Sequence, residues 1–149
     1  MMRLLFCVLV CLMALGCSSM STESSRYEFV YEQVSWTEAK RRAEDRGGHL
    51  ACFETLNELK LVKAKMHRSR ALWVGLTDVQ REGDWFWLNG EPLEPYMIDL
   101  LERGEQLEQR DYGHLLFNSG LNSRDEKGEK PKGWKAQEHV EGFIIEWER

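Results

Sequence analysis

All but one of the aromatic residues of this 149-residue chain lie in one continuous stretch. All six Trp and five of the six Phe fall between Phe29 and Trp147. A stretch of roughly 120 residues with this aromatic content suits one domain around one hydrophobic core, and it is too short for two. The sequence therefore predicts a single folded domain, which we place at residues 27–149.

The first 16 residues differ in composition from the rest of the chain. They hold one basic residue, Arg3, no acidic residue, and an apolar run from Leu4 to Leu15. This run is shorter than the roughly 20 residues that a membrane-spanning helix needs, but it suits the core of a signal peptide. We therefore expect residues 1–16 to be an export signal.

The end of this leader, Ala14-Leu15-Gly16-Cys17, resembles a bacterial lipobox. The resemblance implies cleavage before Cys17 and acylation of that cysteine. Residues 17–26 would then be a lipidated, flexible, Ser-rich tether, because they carry too little apolar surface to fold. We expect an exported protein of the bacterial cell envelope, anchored by lipid to the outer membrane or the cell surface. The alternative is ordinary secretion, with Cys17 lost or left free.

Charge and cysteine content narrow the classes of function. The formal net charge of −5 does not favour general nucleic-acid binding. Cys7 and Cys11 leave with the predicted leader, so once Cys17 is acylated only Cys52 remains and no internal disulfide can form. The apolar neighbours of Cys52 predict a buried, inert thiol and not a nucleophile.

Local patterns predict helices early in the domain and strands late. Ser35 and Thr55 each open a capping box, with Glu38 and Glu58 three residues further on, and both predict a helix start. Strands are predicted at residues 27–31, 71–76, 85–88, 115–117 and 142–147. The segments 91–111 and 118–133 show no regular pattern and predict loops. This order suggests an α+β domain whose terminal strands pair.

Several motifs, taken in order, resemble the C-type lectin-like domain over roughly residues 27–149. The resemblance implies two helices flanking two small antiparallel sheets, joined termini, and a long loop region that carries ligand binding. The motifs are Ser35-Trp36-Thr37-Glu38-Ala39 with Gly47-Gly48-His49-Leu50-Ala51, then Leu72-Trp73-Val74-Gly75-Leu76, then Trp85-Phe86-Trp87-Leu88-Asn89-Gly90, and finally Gly142-Phe143-Ile144-Ile145-Glu146.

Two departures from the family pattern bear on stability and on calcium. The usual disulfide between the first helix and the last strand falls at Ala43 and Ile145, and the loop disulfide has no cysteine at all. The calcium motifs of sugar-binding members align with Glu105-Gln106-Leu107 and Trp134-Lys135-Ala136. Ca²⁺ takes about six to eight oxygen ligands, and these replacements remove oxygens and add an ammonium group.

We therefore predict that the sugar-coordinating calcium site is absent and that the domain needs no metal or other cofactor. An ion held elsewhere in the acidic loop region stays as an alternative. The carboxylates available to it are Glu102, Glu105, Glu108, Asp111, Asp125 and Glu126.

The sequence favours a non-enzymatic binding module that recognises a protein or glycan at the cell surface through its long loop, which we place at about Glu94 to Gly133. A carbohydrate-binding lectin, with or without calcium, is the second hypothesis. A cell-envelope hydrolase is a remote third, because no catalytic motif is visible. The candidate ligand contacts are Glu105, Arg110, Asn118, Asn122, Arg124 and Lys135. The five cations between Lys60 and Arg70 predict either a solvated outer helix face or a patch for anionic headgroups or polymers.

Overall fold

The computed structural model describes residues 25–67, 70–91, 93–102, 110–118, 120–128 and 139–148, without the side chains of residues 100 and 102. Over these residues the chain forms helices α1 (Trp36–Asp45), α2 (Leu56–Lys65) and α3 (Pro95–Glu102). The strands are β1 (Arg26–Val30), β2 (His49–Leu50), β3 (Ala71–Thr77), β4 (Phe86–Trp87), β5 (Tyr112–Leu116), β6 (Gly120–Arg124) and β7 (Val140–Trp147).

Both predicted helix starts are confirmed by their caps. The Ser35 hydroxyl accepts a hydrogen bond from the Glu38 amide at 3.2 Å, and the Thr55 hydroxyl accepts one from the Glu58 amide at 3.2 Å. Each bond satisfies an amide that has no partner within the first helical turn. The chain leaves α1 through Gly47, whose φ of +73° is one that glycine adopts without strain.

The strands form one connected sheet in the order β1-β7-β3-β5-β6. The terminal strands β1 and β7 pair antiparallel, which confirms the expected pairing of the chain ends. Strand β3 pairs parallel with β7 on one side and antiparallel with β5 on the other. The family resemblance implied two small sheets. In this structure they form one sheet, because the pairing of β3 with β7 joins them.

The two faces of the sheet bury two apolar clusters. One lies with α1 and includes Trp73, Phe143 and Ile145, and the other lies with α2 and α3 and includes Leu72 and Ile144. Neighbours in sequence thus fall into opposite clusters, as the two-residue period of a strand requires. Each fully buried side chain of this kind stabilises the fold by about 1.5 to 3 kcal/mol.

The positions of the family's first disulfide hold packed apolar side chains. Ala43 of α1 and Ile145 of β7 are both fully buried, in the same cluster. Cys52 is buried and unpaired, and burial raises the pKa of its thiol to about 12. The predicted burial of this thiol is confirmed, and a thiol with so high a pKa stays protonated near neutral pH.

The buried carboxylate of Glu146 on β7 contacts β1 and the segment after β2, and Tyr27 of β1 links it to α2. Glu146 is 4% exposed, accepts a hydrogen bond from the Cys52 amide at 2.9 Å, and lies 3.1 Å from the Tyr27 hydroxyl. The Tyr27 hydroxyl also donates to Glu58. Burial is the main cause that raises the pKa of Tyr27, and the hydrogen bond to Glu58 raises it further. These contacts satisfy a carboxylate that would otherwise be costly to bury.

Two segments predicted as loops contain regular structure. Helix α3 lies within residues 91–111, and strand β6 lies within residues 118–133. The loop predictions were wrong here because β6 has no apolar alternation and exists through its pairing with β5. The signal for α3 was present in Pro95 at the first helical position and in the four-residue spacing of Met97 and Leu101.

Candidate recognition surface

The β5–β6 hairpin forms one edge of the sheet and lies in the predicted loop region. Its register pairs Tyr112 with Arg124 and His114 with Asn122. Leu115 and Leu121, also paired, are buried in the cluster on the side of α2 and α3. Since paired residues share a face, His114 and Asn122 lie on the opposite face.

The base of the hairpin is fixed to β3 by polar contacts. The Asp111 carbonyl accepts a hydrogen bond from the Thr77 hydroxyl at 2.6 Å and another from the Asp78 amide at 3.2 Å. The Asp78 carboxylate is buried and accepts a hydrogen bond from the Gly83 amide at 2.8 Å. Burial raises the pKa of Asp78. The hairpin therefore begins from a rigid point on the central sheet.

Helix α3 packs against β6 and presents two large apolar side chains to solvent. Met97 is fully buried and Leu101 is 7% exposed, and both join the cluster that holds Leu121. Tyr96 and Ile98, on the outer side of the helix, are 46% and 39% exposed. An exposed aromatic ring with a hydroxyl is typical of ligand contacts. Our residue-by-residue prediction missed both side chains.

His114 is fully buried at the centre of the hairpin. Its ring meets Trp73 edge to face, with centroids 6.1 Å apart. Within the described residues, neither ring nitrogen has a hydrogen-bond partner. Burial lowers the pKa of His114 to about 3, and the nearby positive charges of Arg124 and Arg110 add to this. The imidazole is therefore neutral at physiological pH.

Two of the predicted ligand contacts lie inside the protein. Arg110 is 9% exposed and Arg124 is 3% exposed. A ligand on the outer surface would contact little of either side chain. The structure therefore does not place Arg110 and Arg124 where the sequence analysis expected them. From these positions their charges act on His114.

The other predicted contacts divide into two pairs. Asn118 is exposed in the turn of the hairpin, and Asn122 is half-buried on β6, where its side-chain oxygen accepts a hydrogen bond from the Ser123 amide at 2.8 Å. Glu105 and Lys135 lie outside the described residues, as does the predicted lipidation site Cys17. We define the hairpin surface as Tyr96, Ile98 and Asn118, which lie in the described part of the predicted recognition loop. Asn122 is left out because it lies on the sheet face opposite to α3.

Calcium does not fit the donor set that the family alignment supplies. Leu107 and Ala136 offer no side-chain oxygen and Lys135 offers a cation, and all three lie outside the described residues. In the part of the chain that the structure describes, no three His, Cys, Asp or Glu side chains are grouped to hold a metal ion. None of the described helices is long and apolar enough to cross a membrane.

Known proteins share this sequence pattern and fold. The model of the Lectin C-type domain matches residues 32–131. The CD209 antigen of Symphalangus syndactylus is 30% identical over 103 residues, which are 68% of this chain and 27% of that protein. The chain spans about a quarter of the length of the curated relatives it matches.

Two solved structures show the same architecture. The cow C-type carbohydrate-recognition domain of CD23, determined in the presence of a GlcNAc2Man3 oligosaccharide, superposes with a TM-score of 0.67 at 18% identity, covering 84% of this chain and 88% of that one. A calcium-independent type II antifreeze protein superposes with a TM-score of 0.61 at 16% identity, covering 83% and 86%.

The paired termini, the sheet buried on both faces and the hairpin at its edge define a C-type lectin-like fold. Homologues in the C-type lectin family are non-enzymatic binding proteins. The chain belongs to the C-type lectin domain family. The fold expected from the sequence motifs is thereby confirmed.

Proposed function

We propose that this protein is a membrane-anchored, calcium-independent binding module that recognises a glycan or protein ligand through its hairpin surface. The observation that carries the proposal is the arrangement of α3, which buries Met97 in the core while leaving Tyr96 and Ile98 in solvent. Exposed apolar side chains on α3, which packs against β6, together with the exposed Asn118 amide in the hairpin turn favour a ligand that offers both apolar faces and hydrogen-bonding groups.

Independence of calcium rests on the donor chemistry at Leu107, Lys135 and Ala136. Without a metal to bind vicinal hydroxyls, affinity must come from side-chain hydrogen bonds, apolar contact and charge. The antifreeze protein, which has the same fold and is described as calcium-independent, supports the proposal because it is an example of this fold without calcium dependence. Membrane anchoring rests on the lipobox resemblance around Cys17.

The recognition proposal is tested by screening the full-length protein on a glycan panel and in pull-downs from envelope extract, each with calcium and with chelator. Tyr96→Ser is expected to weaken capture of the ligand about tenfold or more, as loss of a central aromatic contact does. Val79→Ser is the matched control, because Val79 is 54% exposed and lies in the turn after β3, not on α3. Equal binding by the wild type and by Tyr96→Ser and Asn118→Ala variants would remove the hairpin surface from the proposal.

The anchoring proposal is tested separately. Cys17→Ser should move the protein from the membrane fraction to the soluble fraction, since acyl chains supply the membrane affinity. Membrane association that persists in this variant would rule out acylation of Cys17 as the anchor.

A further inference from the structure

The outer face of α2 carries cations that no carboxylate of the described residues neutralises. Lys60, Lys63 and Lys65 form no ion pair within the described residues. The only acid of the helix, Glu58, accepts hydrogen bonds from the Tyr27 hydroxyl and the Glu54 amide and forms no ion pair with these lysines. The face is therefore positive on a chain whose net charge is negative.

The cations of α1 behave differently. Lys40 pairs with Glu44, and Arg41 pairs with Glu38 and Asp45. Arg46, just after the helix, pairs with Glu28. Helix α1 has three acidic residues and α2 has one, so the unpaired lysines of α2 reflect its sequence and are not general to the surface helices of this fold. The helix dipole favours Lys63 and Lys65 in the last turn but does not account for Lys60.

Two large apolar side chains accompany the lysines. Leu61 is 59% exposed on α2 between the lysine positions. Tyr31, 46% exposed, accepts a hydrogen bond from the His67 amide just beyond the end of α2, and its ring contacts the His67 ring. Lysines around exposed Leu and Tyr match the two layers of a bilayer surface, where headgroups are charged and the zone beneath them is apolar.

We infer that the outer face of α2, with Lys60, Leu61, Lys63 and Lys65, docks on an anionic lipid surface. The lysines contact headgroup phosphates, while Leu61 enters the apolar zone below them. Because α1 and α2 pack on opposite faces of the sheet, α1 then faces away from the membrane. The inference does not depend on the identity of the ligand at the hairpin surface.

The test uses the full-length protein on vesicles of phosphatidylcholine alone or of phosphatidylcholine mixed with phosphatidylglycerol. The lysines are acetylated with an amine-reactive reagent, and labelling is read by mass spectrometry. This readout works even if the leader binds both vesicles, because it reports which face is covered. Protection of Lys60, Lys63 and Lys65 is expected on the anionic vesicles only, with Lys40 labelled equally on both. Equal labelling of the α2 lysines on both vesicles would overturn the inference.

Variants measure the contribution of charge. Each basic residue near an anionic surface contributes roughly fivefold to partitioning, so removing three should reduce the preference for anionic vesicles about 100-fold and make it less sensitive to salt. A matched triple variant that removes three charges from the α1 side should keep that preference. The two variants are Lys60→Gln/Lys63→Gln/Lys65→Gln and Lys40→Gln/Arg41→Gln/Arg46→Gln.

A last comparison separates a bilayer from a soluble polyanion. Leu61→Ser should weaken binding to anionic vesicles several-fold, because it removes the inserted apolar group. If soluble dextran sulfate protects the same lysines as well as vesicles do, and Leu61→Ser changes nothing, the face recognises an anionic polymer and the lipid inference fails.

Discussion

Trp73 and His114 lie opposite each other on strands β3 and β5, and their rings meet nearly at right angles, at 88°. The burial that creates this contact also keeps His114 neutral. An imidazole whose pKa is lower in the folded than in the unfolded chain makes the free energy of unfolding depend on pH.

The folded protein is expected to lose stability through His114 as the pH falls. In the unfolded chain the imidazole takes up a proton below about pH 6.5, whereas in the folded state its pKa is about 3. Its contribution is therefore complete above the unfolded value and is lost as the pH falls from about 6.5 toward 3, by at most about 1.4 kcal/mol per pH unit.

Urea unfolding of the wild type and of His114→Phe, between about pH 7 and pH 4.5, measures this contribution. The wild type should lose free energy of unfolding more steeply than the variant. Equal slopes would mean that His114 is protonated in the folded state or is exposed.

Gly142 is expected to tolerate no side chain. A Cβ there would overlap the carbonyl oxygen of Val30 on the paired strand β1 and crowd Leu72. Gly142→Ala should cost about 3 kcal/mol or more of the free energy of unfolding, because backbone must move. Gly83→Ala is the control, since Gly83 has open space and a φ of +80°, and it should cost about 1 to 2 kcal/mol. Similar losses in both variants, measured by thermal unfolding, would contradict the close β1–β7 approach.

An introduced disulfide is expected to form between positions 43 and 145. Ala43→Cys/Ile145→Cys closes a long loop at the positions where other family members carry a disulfide, and the oxidised form should exceed the reduced form by about 4 kcal/mol. Comparing oxidised and reduced melts of one variant cancels the cavity that Ile145→Cys leaves. The single variant Ile145→Cys should show no such difference. A double variant that stays reduced under oxidant would show that α1 and β7 are held too far apart.

Calcium is expected to leave the thermal stability unchanged. A ligand bound only by the folded state, at about a hundred times its Kd, adds about 2.7 kcal/mol to the free energy of unfolding. Melts of the full-length protein in excess calcium and in chelator should therefore coincide, with magnesium as the control for ionic strength. A clear upward shift in calcium alone would restore a metal site in the loop region and reverse this part of the proposed function.

Features that depend on neighbouring residues were predictable. The caps at Ser35 and Thr55 need only local hydrogen bonds, and the continuous apolar run around Trp73 is enough to predict a buried strand. The motif order was sufficient to predict the family, and the apolar residues at Ala43 and Ile145 were sufficient to predict a core without that disulfide.

The tertiary structure alone decided which polar residues face solvent. Arg110, His114 and Arg124 have the composition of a binding loop, yet all three are buried. For His114 and Arg124 the reason is the pairing of β5 with β6, whose register places both side chains on one face of the sheet. Strand β6 gains its backbone hydrogen bonds from a partner strand, so its own residues carry little signal. In the same way, the exposure of Tyr96 and Ile98 depends on which side of α3 meets β6. Burial is set by contacts between distant segments, which a local sequence pattern does not encode.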